Sequence, residues 1–79
     1  MFTVYILKSQ RDNKRYIGMT SDLERRISEH NTGLVKSTRN RSPLILIHTE
    51  IFPTKKEAED REQFYKTGKG RQRLKELNL

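Results

Sequence analysis

The chain has no cysteine and no tryptophan, and its 79 residues include only two prolines and four glycines. Without cysteine there is no disulfide to staple a small fold and no thiolate for zinc or an iron–sulfur cluster. Any metal must therefore be held by Asp, Glu, His or solvent. No apolar run approaches the roughly 20 residues of a membrane span. The opening Met1-Phe2-Thr3-Val4-Tyr5 has neither the apolar core of a secretory signal nor the pattern of a transit peptide. A soluble, cytoplasmic protein is the simplest expectation. Repeats, linkers and low-complexity segments are also missing, so residues 1–79 are expected to form one domain. At this length a fold buries only about 60% of its unfolded surface, and the core must be thin.

What the chain has in quantity is charge. Charged residues make up 34% and hydrophobic ones 32%, yet the apolar residues fall in periodic segments, which argues against disorder. Seventeen Lys and Arg against ten Asp and Glu leave a formal charge of +7. Such an excess repels itself and tends to be kept when the partner is a polyanion. No helix pairs a basic face with a broad apolar one, which puts nucleic acid ahead of a membrane surface. The lesser alternative is a soluble protein that is basic without such a partner.

Thr3 to Leu7 is β-branched and aromatic, and Tyr16-Ile17-Gly18-Met19 follows after the polar stretch Ser9 to Lys14. Two such runs with that connector predict a β-hairpin. With Gln10 to Asn13 as the loop, Leu7 faces Tyr16 and Tyr5 faces Gly18, so Tyr5 and Tyr16 become diagonal neighbours on one face. A slip of one residue would separate them. Ser21 with Glu24 forms a capping box for a helix from about Asp22 to Asn31, closed by Gly33. Leu23, Arg26, Ile27 and His30 share one face of it, and Arg25 can pair with Glu29 at the surface. Leu44-Ile45-Leu46-Ile47 predicts a strand buried on both faces. Thr54 with Glu57 caps a second helix ending near Lys66, and Leu74 and Leu77 mark a short terminal helix. The order β-β-α-β-α-α describes an α/β (α+β) domain, a small three-stranded antiparallel sheet flanked by helices, with strand order unresolved.

Tyr5, Tyr16, Arg26, His30 and Glu62 could meet at one pocket. Glu62 shares a stripe with Ala58 and Tyr65, where a packing residue is expected. An inward-leaning carboxylate must be paired or bind a cation, and a salt bridge to Arg26 or Arg61 is the plainer of the two outcomes. Each of the others has an ordinary reading as well. The tyrosines suit a sheet, a histidine suits a helix C-terminus, and Arg26 suits a solvated face.

The ordered set Thr3-Val4-Tyr5, Tyr16-Ile17-Gly18, Thr20-x-Asp22-Leu23-x-Arg25-Arg26, His30-Asn31 and Glu57-Ala58-x-x-Arg61-Glu62 resembles the GIY-YIG nuclease domain. It is most similar to the short stand-alone bacterial members of the UPF0213 group. The resemblance spans nearly the whole chain and implies the GIY-YIG fold and a metal-dependent DNA endonuclease, in repair, recombination or foreign-DNA processing. It implies that Tyr5 and Tyr16 contact and deprotonate the attacking water, with Tyr5 as the general base. Arg26 would stabilise charge on the scissile phosphate, His30 would assist the water or second tyrosine, and Glu62 would hold one Mg²⁺ or Mn²⁺ ion. A lone carboxylate suits Mg²⁺, which keeps several waters and takes phosphate oxygens. Two departures stand out: Thr3 replaces the glycine of the first motif, and Asn78 does not align with an asparagine that some members carry near the C-terminus.

For substrate, Lys36, Arg39, Arg41, Lys69, Arg71, Arg73 and Lys75 are expected to hold DNA backbone phosphates, giving salt-sensitive affinity with little sequence preference. No base-reading helix or aromatic platform is apparent, so specificity would be structural or supplied by a protein partner, the chain itself being a monomer or weak dimer. A non-catalytic nucleic-acid-binding module of the same fold is the alternative. A protein-interaction domain would leave the positive charge unexplained.

Overall fold

A computed structural model describes Met1–Leu79, and in it the first two strands pair in the expected register. β1 (Phe2–Ser9) and β2 (Arg15–Thr20) run antiparallel with Tyr5 opposite Gly18 and Leu7 opposite Tyr16. Ser9 N–H closes the turn on the Lys14 carbonyl at 3.0 Å, and Asn13 takes the left-handed conformation (φ 60°) that the reversal needs. α1 (Leu23–Asn31), β3 (Leu44–Phe52), α2 (Lys55–Tyr65) and α3 (Gly68–Glu76) follow. The sheet is three-stranded and antiparallel in the order β2-β1-β3, which confirms the expected fold class. No helix is long and apolar enough to cross a membrane.

Two local expectations are corrected. Asp22, not Ser21, is the N-cap of α1: its carboxylate accepts from Arg25 N–H at 3.2 Å. Thr20 fixes this choice, because its hydroxyl accepts from the Asp22 N–H at 3.0 Å and holds that residue in the capping conformation. The strand containing Leu44 to Ile47 is longer than expected and lies at the edge of the sheet, so Ile45 and Leu46 are exposed. The strand buried on both faces is β1. The expected terminal helix forms as α3 with Leu74 buried, while Leu77 at its end is exposed and Leu79 packs on the core. The α2 cap is as read, with the Thr54 hydroxyl accepting from Glu57 N–H at 3.2 Å.

Alternation along β1 divides the core in two. Val4 and Ile6 pack with Ala58, Tyr65 and Leu74, so α2 and α3 cover that face. Tyr5 and Leu7 point the other way and pack with Leu44, Tyr16, Leu23 and Ile27, so α1 covers the second face. Complete burial of an aliphatic side chain stabilises by about 1.5–3 kcal/mol, and β1 supplies three such residues at 0% exposure, Val4, Ile6 and Leu7. The rest of the fold is laid on this strand.

A polar network seals the α2 side. Glu50, on β3, accepts from Arg61 Nε at 2.8 Å, from the Tyr65 hydroxyl, and lies 2.7 Å from His48 Nε2. Burial works against the ionised Glu50, but hydrogen bonds from Tyr65, His48 and Arg61 outweigh it and hold the carboxyl below its usual range. A carboxyl lowered in the folded state stabilises above its unfolded pKa, and that contribution is lost as pH falls through the folded value. Glu50→Gln is expected to lower Tm by about 10 °C at neutral pH, from about 2 kcal/mol of charge-assisted hydrogen bonding. It should also flatten the fall in Tm below about pH 4.5, which a melting series across pH measures.

Candidate active site

The hairpin register brings the Tyr5 and Tyr16 rings to 6.4 Å between centroids. On α1, Leu23 and Ile27 pack into the tyrosine-side core and turn the same helix face, with His30, onto those rings. The imidazole lies edge-on to both, at 5.7 Å from Tyr5 and 4.8 Å from Tyr16. His30 Nε2 is 2.9 Å from the Tyr5 hydroxyl, and His30 Nδ1 is 2.7 Å from Thr38 Oγ1. His30 and Thr38 are fully buried and Tyr5 is 1% exposed. His30 is therefore no solvated helix-end histidine. It is the middle member of a closed chain of three polar groups.

Burial and the nearby Arg26 both push the His30 pKa down, against an opposing contribution from Glu29, so the ring is neutral near pH 7. A neutral imidazole offers one donor and one acceptor, which links its two contacts. When the Tyr5 hydroxyl donates to Nε2, the Nδ1–H donates to Thr38. Burial raises the Tyr5 phenol above its ordinary value. The Arg26 guanidinium beside it pulls the other way, and the charges of Tyr16 and Glu62 add to the rise. The Tyr5 hydroxyl thus bonds His30 and lies beside the Arg26 guanidinium, with the Tyr16 ring 6.4 Å from its own. Gly18 allows this, because a Cβ there would overlap the outer end of the Tyr5 ring.

Arg26 and Glu62 approach from different elements. Arg26 is half-exposed and donates to Glu29 at 3.1 Å, and its pKa is pushed further up, chiefly by Tyr5. Glu62 lies on α2, beneath the opposite face of the sheet, with a side chain only 19% exposed. It pairs with neither arginine expected from the sequence. Arg26 takes Glu29, Arg61 takes Glu50, and Glu62 meets Lys66 Nζ at 2.8 Å. No cluster of three acidic, His or Cys side chains exists that could cage a metal. A divalent ion at Glu62 would have to complete its shell with water and substrate oxygens, which the donor set of one carboxylate permits for Mg²⁺.

The expected phosphate-binding residues are scattered. Lys36 and Arg39 are exposed on the loop between α1 and β3, and Lys69, Arg71 and Arg73 are exposed along α3. Arg41 is taken up structurally: it pairs with Asp12 at 2.8 Å and donates to the carbonyls of Lys14 and Arg15, clamping that loop to the β1–β2 turn. Asn78 sits in a left-handed conformation beyond α3 and is exposed. Two residues that sequence reasoning left without a role matter locally. Thr38 lies in a polar loop with no periodicity to distinguish it from its neighbours. Asn31 brackets Leu44 through both backbone groups, at 2.7 and 3.0 Å, and ties α1 to β3.

The GIY-YIG catalytic domain matches residues 1–76. A UPF0213 protein of Staphylococcus haemolyticus is 44% identical over 73 residues, covering 91% of this chain and 88% of that protein. A UPF0213 protein of Clostridium perfringens is 47% identical over 64 residues, covering 80% and 68%. The solution structure of a UPF0213 protein from Bacillus halodurans superposes with a TM-score of 0.59 at 38% identity, covering 98% of this chain and 85% of that one.

Two substitutions test the geometry. Gly18→Ala should displace the Tyr5 ring and lower Tm, and Tyr5 ring resonances in NMR spectra should move with it. Thr38→Val keeps shape but leaves a buried imidazole nitrogen without a partner, with an expected loss of about 1–3 kcal/mol. The ¹⁵N shifts of His30 should then report a changed tautomer balance, and Thr38→Ser should restore it.

Proposed function

The chain belongs to the GIY-YIG catalytic domain family, and from that premise we propose that it is a metal-dependent DNA endonuclease, hydrolysing phosphodiester bonds in DNA repair, recombination or foreign-DNA processing. The observation that carries the reading is the buried Tyr5–His30 hydrogen bond, with the Tyr16 ring against the imidazole and the Arg26 guanidinium beside the phenol. A module that only bound DNA would have no chemical use for a proton-accepting neutral histidine joined to a phenol in its core.

In this reading the Tyr5 oxygen takes a proton from the attacking water as its own proton passes to His30 Nε2, 2.9 Å away. His30 can accept it because burial and Arg26 keep the ring neutral. The Nδ1–H then needs an acceptor, and the Thr38 hydroxyl provides it at 2.7 Å. Tyr16 confines the imidazole from its other side and shares the water. Arg26 faces the charge that grows on the phosphate oxygens, where removal of one such donor typically slows a reaction by about 10²–10³. Glu62 would hold the Mg²⁺ or Mn²⁺ ion, which supplies Lewis-acid neutralisation of the phosphate and leaving oxygen. The Lys66 ammonium occupies one Glu62 oxygen, and an exposed pair of this type opens at little cost.

The test is cleavage of supercoiled and branched DNA with Mg²⁺ and with EDTA. Glu62→Ala should abolish it, and Tyr5→Phe and His30→Ala should slow it by about 10²–10⁴. Activity should fall on the acid side as His30 protonates, with the midpoint below pH 6.5, the ordinary histidine value. Metal-independent nicking, or nicking that survives Glu62→Ala, overturns the mechanism. Binding to every substrate without cleavage replaces it with the binding-module reading.

A further inference from the structure

Beside the proposed active site, the outer edge of the sheet holds a second cavity, of about 550 Å³, between the β1–β2 turn and the junction of α2 with α3. Its lining includes Lys8, Lys14, Arg15, Lys66 and Arg71 and not a single carboxylate. Five cations around one cavity repel each other, and a fold this small gains nothing in stability from gathering them. Lys8, Lys14 and Arg71 make no ion pair, and Arg15 spends its guanidinium on the Leu79 carbonyl at 2.9 Å. Of the positions expected from sequence to hold phosphates, only Arg71 is here.

Close packing builds the cavity. Gly70 lies so near the Phe64 carbonyl that a Cβ would collide with it, which sets α3 tightly against the end of α2 and holds Arg71 over the opening. The floor is Ile17 and Leu74. The cavity also continues into the proposed active site through two residues. Tyr16 lines it and packs at 4.8 Å on His30, and Lys66 lines it and pairs with Glu62.

We infer that this cavity is a phosphate-binding site that grips the nucleic-acid backbone adjacent to the bond being cut. In placing the cut beside it, the inference rests on the nuclease reading; the binding itself does not. Cations gathered over an apolar floor hold phosphates by charge and carry no donor and acceptor pattern that reads base edges. The grip is therefore independent of sequence, and it fixes which strand segment lies across Tyr16 and Glu62. When a backbone phosphate enters, Lys66 gains a second anion and can leave Glu62, which frees that carboxylate where the metal is needed.

The experiment is a titration of the full chain against a fluorescent DNA duplex and the matching single strand, in EDTA, over a series of salt concentrations. Lys14→Gln with Arg71→Gln should flatten the dependence of log Kd on log salt by about 1.8 for duplex and 1.4 for single strand, two phosphate contacts' worth. Lys55→Gln with Lys56→Gln makes the same change in net charge on the outer face of α2, where both lysines pair with acidic neighbours, and should leave the slope nearly unchanged. Equal loss in the two double variants, or none in the first, overturns the inference. Melting curves establish that each variant is folded. Cleavage by the wild type but not by Glu62→Ala, together with unchanged binding by the Lys14/Arg71 variant, would sink this site and leave the nuclease reading standing. Salt-sensitive binding lost in that variant, with no cleavage by any form, would do the reverse.

Discussion

The Tyr5 hydroxyl and His30 Nε2, 2.9 Å apart, join the central strand to the first helix across 25 residues of sequence. Both residues are buried, and a buried polar group without a partner would be penalised heavily. Its demands therefore propagate. The hairpin must keep its register, α1 must present one particular face, and the α1–β3 loop must bring Thr38 inward to satisfy the far nitrogen. Arg41 and Asn31 hold that loop at its two ends, one on the β1–β2 turn and one on β3. A single hydrogen bond thus accounts for the placement of three segments that share no contact in sequence.

The two faces of β1 solve the same problem differently. On the α1 face the polar chain of Tyr5, His30 and Thr38 is neutral. On the α2 face Glu50 is ionised and surrounded by donors from Arg61, Tyr65 and His48. That network is fixed charge, which rigidifies and locks β3 to α2. The two networks are kept apart by one strand's thickness. The acidic group proposed to hold the metal, Glu62, belongs to neither network and meets Lys66 on α2.

Much of the proposed site could be read from the chain because it depends on short-range rules. Two-residue alternation and the length of the turn were enough to pair Tyr5 with Gly18, and 3.6-residue periodicity put Arg26 and His30 together on one helix face. The errors arise where a local pattern meets a tertiary alternative. Ser21 and Asp22 are both good caps, and the hydroxyl of Thr20 decides between them. The apolar run in β3 reads as doubly buried, but a three-stranded sheet has one interior position and β1 holds it. Glu62 could be seen to need a cation, yet two closer-looking arginines were already committed to Glu29 and Glu50. Thr38 left no trace, since a buried loop hydroxyl is chosen by its distant partner and by no periodicity of its own. The gathering of Lys8, Lys14 and Arg15 with Lys66 and Arg71 was invisible for a related reason: it joins two segments 50 residues apart across an edge that only the folded sheet defines.

Gly18 lies against the Tyr5 ring with no room for even a methyl group between them. Positions 5 and 18 therefore cannot vary independently. A larger residue at 18 is admissible only if the ring at 5 shrinks, and a smaller residue at 5 opens a void under His30 that a side chain at 18 could fill. The pair behaves as a single two-position letter, inherited whole or replaced whole, and a chain of this fold that carries a side chain at 18 should be found to have given up its phenol at 5.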